Sequence, residues 1–256
     1  MERLYQISHE ELLLLSGLLQ LPTPLALGPQ PAAGYSRAAM QIALGAAASA
    51  LAARGFLSPS SRGGEPPTPA PGIAGVIRIL AAAERCLVLA GGKAGQHTMS
   101  QICLRADGEA LLLSSPQPGA YRICAAHGHA AVIDHVVAAL PPAHARPAPS
   151  LDVPPAALIA ALDAAPGGMG AATTPLHAAG VPADEAERFA RSLGPAPSRH
   201  ALIALRRQER RGILAIVGAD AIWCADDDRP ESVPLRPVGP AELRAHIADL
   251  VAWAAA

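Results

Sequence analysis

The sequence predicts a mixed α/β (α+β) fold of two similar subdomains with quasi-twofold symmetry, each an antiparallel sheet with flanking helices. Three observations predict it. Helix-period apolar patterns precede strand-period ones in both halves of the 256 residues. The dipeptide Asp107-Gly108 stands between two apolar runs, a strong hairpin signal. The order of elements in the first half then returns in the second.

Element by element, Glu10 and Glu11 precede the leucine run at Leu12–Leu15, as in a capped helix and unlike a signal peptide. Ser36 caps a second helix with Met40, Leu44, Ala47 and Leu51 on one face, closed at Gly55. Ile73, Val76, Ile77 and Leu80 mark a third. The period then shortens to two: strands begin near Cys86, Ser100, Glu109 and Ala120, and a helix carrying Ile133, Val136, Val137 and Leu140 follows. In the second half, helices are expected over residues 155–164, 175–179 and 182–193, with Gly180 and Gly194 stopping the latter two. Strands begin near His200, Gly212, Ala221 and Ser232, and a final helix from Pro240 carries Leu243, Ile247, Leu250 and Val251.

Setting Ile102–Leu113 against Leu214–Ala225 pairs Asp107-Gly108 with Ala219-Asp220, and the helices after the strands pair His135 with His246. An internal duplication explains this shared order. The expected division is residues 1–140, a Pro-rich linker over 141–155, and residues 156–256. That linker and the Pro59–Gly72 stretch are expected to be solvated and extended.

Composition excludes several classes. A net charge of -1 leaves no basic field for nucleic acid or anionic lipid. The longest Ala-rich apolar stretch, Ile42–Ala53, is too short to span a bilayer, so no membrane insertion is expected. The four cysteines (Cys86, Cys103, Cys124, Cys224) lie far apart on strand-like segments, which suits reduced core residues of a cytoplasmic protein.

The stretch Ile123–His135 holds Cys124, His127, His129 and His135, enough soft donors to raise zinc. Its counterpart in the second half, Pro234–His246, occupies the same strand-to-helix junction without such a set, so a turn at His127-Gly128-His129 is the preferred reading and no metal is expected. Lys93 in the Gly-rich run after Cys86 is followed by Ala94, not Ser or Thr opening a helix, which excludes a phosphate loop in favour of a flexible hairpin loop. The Gly167 region reads as a linker between helices, and Asp226, Asp227 and Asp228 as a solvated acidic turn. Trp223 and Trp253 read as core anchors. No nucleophile elbow or paired carboxylates stand out, so no catalytic residue and no cofactor are expected. Arg206, Arg207, Arg210 and Arg211 form the one basic cluster, at the tip of a predicted hairpin, and are the candidate partner-binding residues.

A leucine-rich helix, an Ala-rich helix ending at Ala52–Leu57, four strands and a helix, with the plan repeated, resembles the EspG family of type VII (ESX) secretion-associated chaperones. The closing run from Leu202 to Trp253 is similar to that family's final module of strands, Pro-containing turn and amphipathic helix. The resemblance implies a cytosolic, non-catalytic protein that binds small helical secretion substrates of the WXG100 or PE/PPE type. A homo-oligomer is compatible with it. The hairpin around Asp107-Gly108 is shorter than the long substrate-contacting loop of the mycobacterial chaperones. The alternative from a different class is a ligand- or metal-binding enzyme domain using His127, His129 and Cys124.

Overall fold

The computed structural model describes residues 2–24, 36–58, 66–93, 98–105, 107–117, 119–141, 149–226 and 232–256. Along the chain the elements are β1 (Glu2–Ser8), α1 (His9–Leu18), α2 (Arg37–Ala53), β2 (Leu57–Ser58), β3 (Thr68–Pro69), α3 (Pro71–Ala81), β4 (Arg85–Lys93), β5 (Thr98–Leu104), β6 (Glu109–Gln117), β7 (Ala120–His127) and α4 (Gly128–Ala138). There follow β8 (Leu151–Val153), α5 (Pro155–Ala164), α6 (Met169–Ala178), α7 (Ala183–Leu193), β9 (Ser198–Arg206), β10 (Glu209–Val217), β11 (Ile222–Asp226), β12 (Val233–Val238) and α8 (Pro240–Ala255). The fold class is the expected mixed α/β. The chain forms two compact units, Met1–Cys86 with Met99–Gly128, and Leu87–Thr98 with His129–Ala256.

In the first unit the strands lie in the order β1-β7-β6-β5, all antiparallel. Strand β1 falls where the sequence suggested only a helix. Its last residue, Ser8, explains the junction: the Ser8 hydroxyl accepts from the Glu11 N–H, and the Glu11 carboxylate accepts from the Ser8 N–H at 2.8 Å. This capping box satisfies two donors that a helix start leaves open. Glu11 also receives the Arg54 guanidinium, whose Nη1 donates to Gln6 O at 2.8 Å. Arg54 therefore ties the end of α2 to both β1 and α1. Helix α2 begins at its Ser36 cap, as expected.

In the second unit β4 lies beside β9, and β9-β10-β11-β12-β8 follow with antiparallel pairing. Strand β8 corrects one expectation. The Pro-rich linker is not solvated throughout, because Leu151 and Val153 alternate around Asp152 and bury their side chains where β8 pairs β12. Helix α6 corrects another. It starts at Met169, just after Gly168 at φ +96°, and carries Pro175 in its interior, so most of the supposed linker is helical. The Thr173 and Thr174 hydroxyls donate to Gly170 O in the turn before that proline, at 3.0 and 2.9 Å. The core of this unit packs Leu158, Leu176, Phe189, Ile216 and Leu235 around Trp223, which is fully buried with its ring 5.2 Å from Phe189 in an edge-to-face contact.

The Gly-rich run after Cys86 also departs from its reading as a loop. Gly91, Gly92 and Lys93 extend β4, and residues 94–97 lie outside the described residues. Gly91 is glycine for a steric reason: a Cβ there would stand 2.3 Å from Arg199 O and 2.7 Å from His200 Cα. All four cysteines are buried thiols, outside any disulfide, on β4, β5, β7 and β11. Among the described residues no helix is long and apolar enough to cross a membrane.

Among the described residues the order strand, three α-helices, four strands, helix occurs twice along the chain, if the short β2 and β3 and the single 3-10 turn Ala165–Gly167 are set aside. In each occurrence of that order the opening strand pairs antiparallel with the last one, β1 with β7 and β8 with β12.

Candidate functional site

Helix α8 starts at Gly239 with Pro240 in its first turn and turns Leu243, Ile247, Leu250, Val251 and Ala254 inward. Helical spacing then places His246, Asp249 and Trp253 along one flank of that stripe. Trp253 is only partly buried, which corrects its reading as a core anchor. What covers it is charge: the Arg206 guanidinium lies 4.6 Å from the ring centre and the Arg211 guanidinium 5.0 Å. Each such cation–π contact at an exposed position contributes about 0.5–1 kcal/mol. Fully burying Trp253 would strip both cations of water, so the partly exposed position is the stable one.

The β9-β10 hairpin delivers these arginines. Arg206 faces Glu209 across a two-residue turn in which Arg207 adopts φ +55°. The Arg206 Nη2 donates to Glu209 Oε2 at 2.7 Å, and that contact holds the Glu209 carboxyl below its usual range. Arg207, Arg210 and Arg211 are exposed. Residues 206–211 hold one carboxylate and four guanidinium groups.

Between the hairpin and α8 runs a groove of about 310 Å³. Its lining combines the apolar Ile213 and Leu250 and the backbone of Gly212 with Arg211, Trp253, Asp226, His246 and Asp249. Asp226 is 3.8 Å from Arg236, and Arg236 Nη2 donates to His246 Nε2 at 3.2 Å. Asp227 and Asp228, read as the rest of the acidic turn, lie outside the described residues.

The structure brings Arg206 and Arg211 together on Trp253 and leaves Arg207 and Arg210 at the tip, without contact to the ring. Sequence reasoning placed the arginines on a hairpin and missed the aromatic ring against which two of them lie. The signal was present: Trp253 follows Leu250 by three positions and His246 by seven, on the edge of the apolar stripe.

The Cys124–His129 stretch is arranged differently. Cys124 lies inside β7 and is buried, whereas His127 ends that strand and is exposed. Three residues apart on a strand, the two side chains point to opposite faces and cannot share an ion. His127 Nδ1 is 2.8 Å from Glu109 Oε1 on the paired strand β6. Gly128, at φ +79°, turns the chain into α4, its N–H bonded to Gly108 O at 3.0 Å. His129 is exposed in the first turn of α4. Among the described residues no three His, Cys, Asp or Glu side chains converge to hold a metal. The thiols are poor nucleophiles: burial pushes Cys86 up to about 11, and Cys103 and Cys224 to about 12.

Compared with known proteins, residues 8–249 match the model of the EspG family. No curated protein matches the sequence.

Proposed function

The chain belongs to the EspG family, and from that premise we propose that it is a cytosolic, non-catalytic chaperone of type VII secretion that binds a small helical substrate of the WXG100 or PE/PPE type. The observation that carries this reading is the family match across nearly the whole length. A second feature suits it. From Val153 to Ala183 the only formally charged residue is Asp163, and along α5 and α6 Ile159 and Met169 remain 49% and 45% exposed. A surface with so little charge is the kind that a partner's apolar helix face covers.

The basic hairpin with Arg206, Arg207, Arg210 and Arg211 lies in the same unit as α5 and α6, and we assign it to the rim of the interface. Charged rims steer encounter and reject wrong partners more than they add affinity. The recurring element order supports an internal duplication whose copies are residues 1–140 and 156–256, joined by residues 141–155. Superposing residues 86–140 on 200–253 tests that division.

Co-purification from the native host followed by mass spectrometry tests the function. A stoichiometric small helical protein, released on unfolding, is the expected result. Recovery of a bound metabolite or nucleic acid without such a protein would overturn it.

A further inference from the structure

We infer that the Arg206–Arg211 hairpin, its Trp253 platform and the adjoining groove form a receptor for an acidic peptide segment of the partner. The inference rests on the chaperone reading and names the chemistry of one contact within it.

Within the hairpin residues 206–211 there is a surplus of positive charge: four arginines and one carboxylate, Glu209, which is already paired with Arg206. The chain as a whole carries -1, so the surplus belongs to this locality. Arg211 is held on the Trp253 ring at 5.0 Å, with its planar fork of N–H donors left for a carboxylate. A guanidinium already restrained by an aromatic face loses less freedom on binding than a free one. Beside it the groove offers Ile213 and Leu250, where an apolar side chain next to the bound carboxylate is sheltered.

The remaining lining selects the class of polyanion. Asp226 and Asp249 lie in the same groove. A nucleic acid laid across it would bring regularly spaced phosphates against both carboxylates. A peptide carries its negative charges at discrete positions and passes the aspartates with apolar or basic residues. The groove therefore favours a peptide with separated acidic residues.

The test uses the full chain and three fluorescein-labelled probes: a twelve-residue peptide alternating Glu and Leu pairs, its Gln-for-Glu counterpart, and a twelve-nucleotide single strand. Anisotropy reads binding, and acrylamide quenching of tryptophan emission reads cover over Trp253, since Trp223 is fully buried. The acidic peptide is expected to bind at least tenfold more tightly than the Gln peptide, to weaken with added salt, and to protect Trp253. Arg211→Glu, and separately the tip pair Arg207→Glu with Arg210→Glu, should each reduce binding at least fivefold, while Arg105→Glu, on the Asp107 turn, should not. Equal binding of the two peptides, tighter binding of the oligonucleotide, or indifference to both hairpin variants overturns the inference. If the arginine variants retain a helical partner on co-purification, this contact fails and the chaperone reading stands. If the acidic peptide binds but the host yields no helical partner, the site stands and the chaperone reading fails.

Discussion

The Trp223 indole N–H donates to Ser192 Oγ at 2.9 Å, and the Ser192 hydroxyl in turn donates to Phe189 O at 2.7 Å. A fully buried aromatic on β11 is thereby tied to the last turn of α7 through one hydroxyl. Ser192→Ala leaves the buried indole donor unsatisfied, and a loss of about 1–3 kcal/mol is expected. Trp223→Phe removes the donor as well as the bicyclic bulk, so it reports cavity formation instead. Urea unfolding with an unchanged slope separates the two; a midpoint unmoved by Ser192→Ala would show that the hydroxyl is dispensable.

Two glycine-to-alanine changes should act in opposite directions. At Gly91 the new methyl meets Arg199 O at 2.3 Å, which no rotamer relieves because the obstacle is backbone. Gly91→Ala should cost at least about 1–3 kcal/mol. Gly45 lies inside α2 with nothing within 4 Å of where a methyl group would stand, and Gly45→Ala should stabilise by about 1 kcal/mol through helix propensity. Thermal melting of the pair checks the contrast.

Removing Arg54 strands a carboxylate. The Glu11 side chain is 8% exposed and Arg54 39% exposed. Breaking a fully buried pair costs about 3–5 kcal/mol, but solvent reaches this arginine and screens the contact. Arg54→Ala is therefore expected to cost about 1–2 kcal/mol, and Arg54→Lys less. Hydrogen exchange should show the loss first at the start of α1, where Glu11 also caps the helix.

Burial lowers the pKa of His200, and likewise of His135, below the ordinary 6.5. In the unfolded chain both take up protons as pH falls through 6.5, while in the fold they resist until their lower values are reached. The contribution of these two groups to stability is thus flat above 6.5 and declines as pH falls from 6.5 toward the folded-state pKa values, by at most about 1.4 kcal/mol per pH unit for each group. Urea titrations across that window, repeated with His200→Gln, should show a shallower decline in the variant.

The cysteines should be silent in the native protein. Thiols raised to about 11 and 12 hold almost no thiolate at neutral pH. Ellman's reagent is expected to find all four only after guanidinium is added; rapid labelling of the native chain would contradict the burial.

Much of the fold was legible locally. Ser36 as cap, Asp107-Gly108 as turn, the leucines of α1 and the inward stripe of α8 are each decided within a few residues by capping chemistry, backbone conformation or the 3.6-residue period, so the sequence alone determined these helices and this hairpin. It did not determine what those elements meet. Strands β1 and β8 are too short or too irregular in pattern to stand out, and each exists because a strand at least 80 residues away in sequence offers it a ladder, β7 and β12 in turn. Gly91 is forced by a backbone from β9, and Trp253 became a platform because a hairpin more than 40 residues earlier lays Arg206 and Arg211 on its ring. Those contacts join residues far apart in the chain, and their energy appears only once the sheet has formed. The arginines could be found by reading along the chain; the surface they make with Trp253 was decided by tertiary structure.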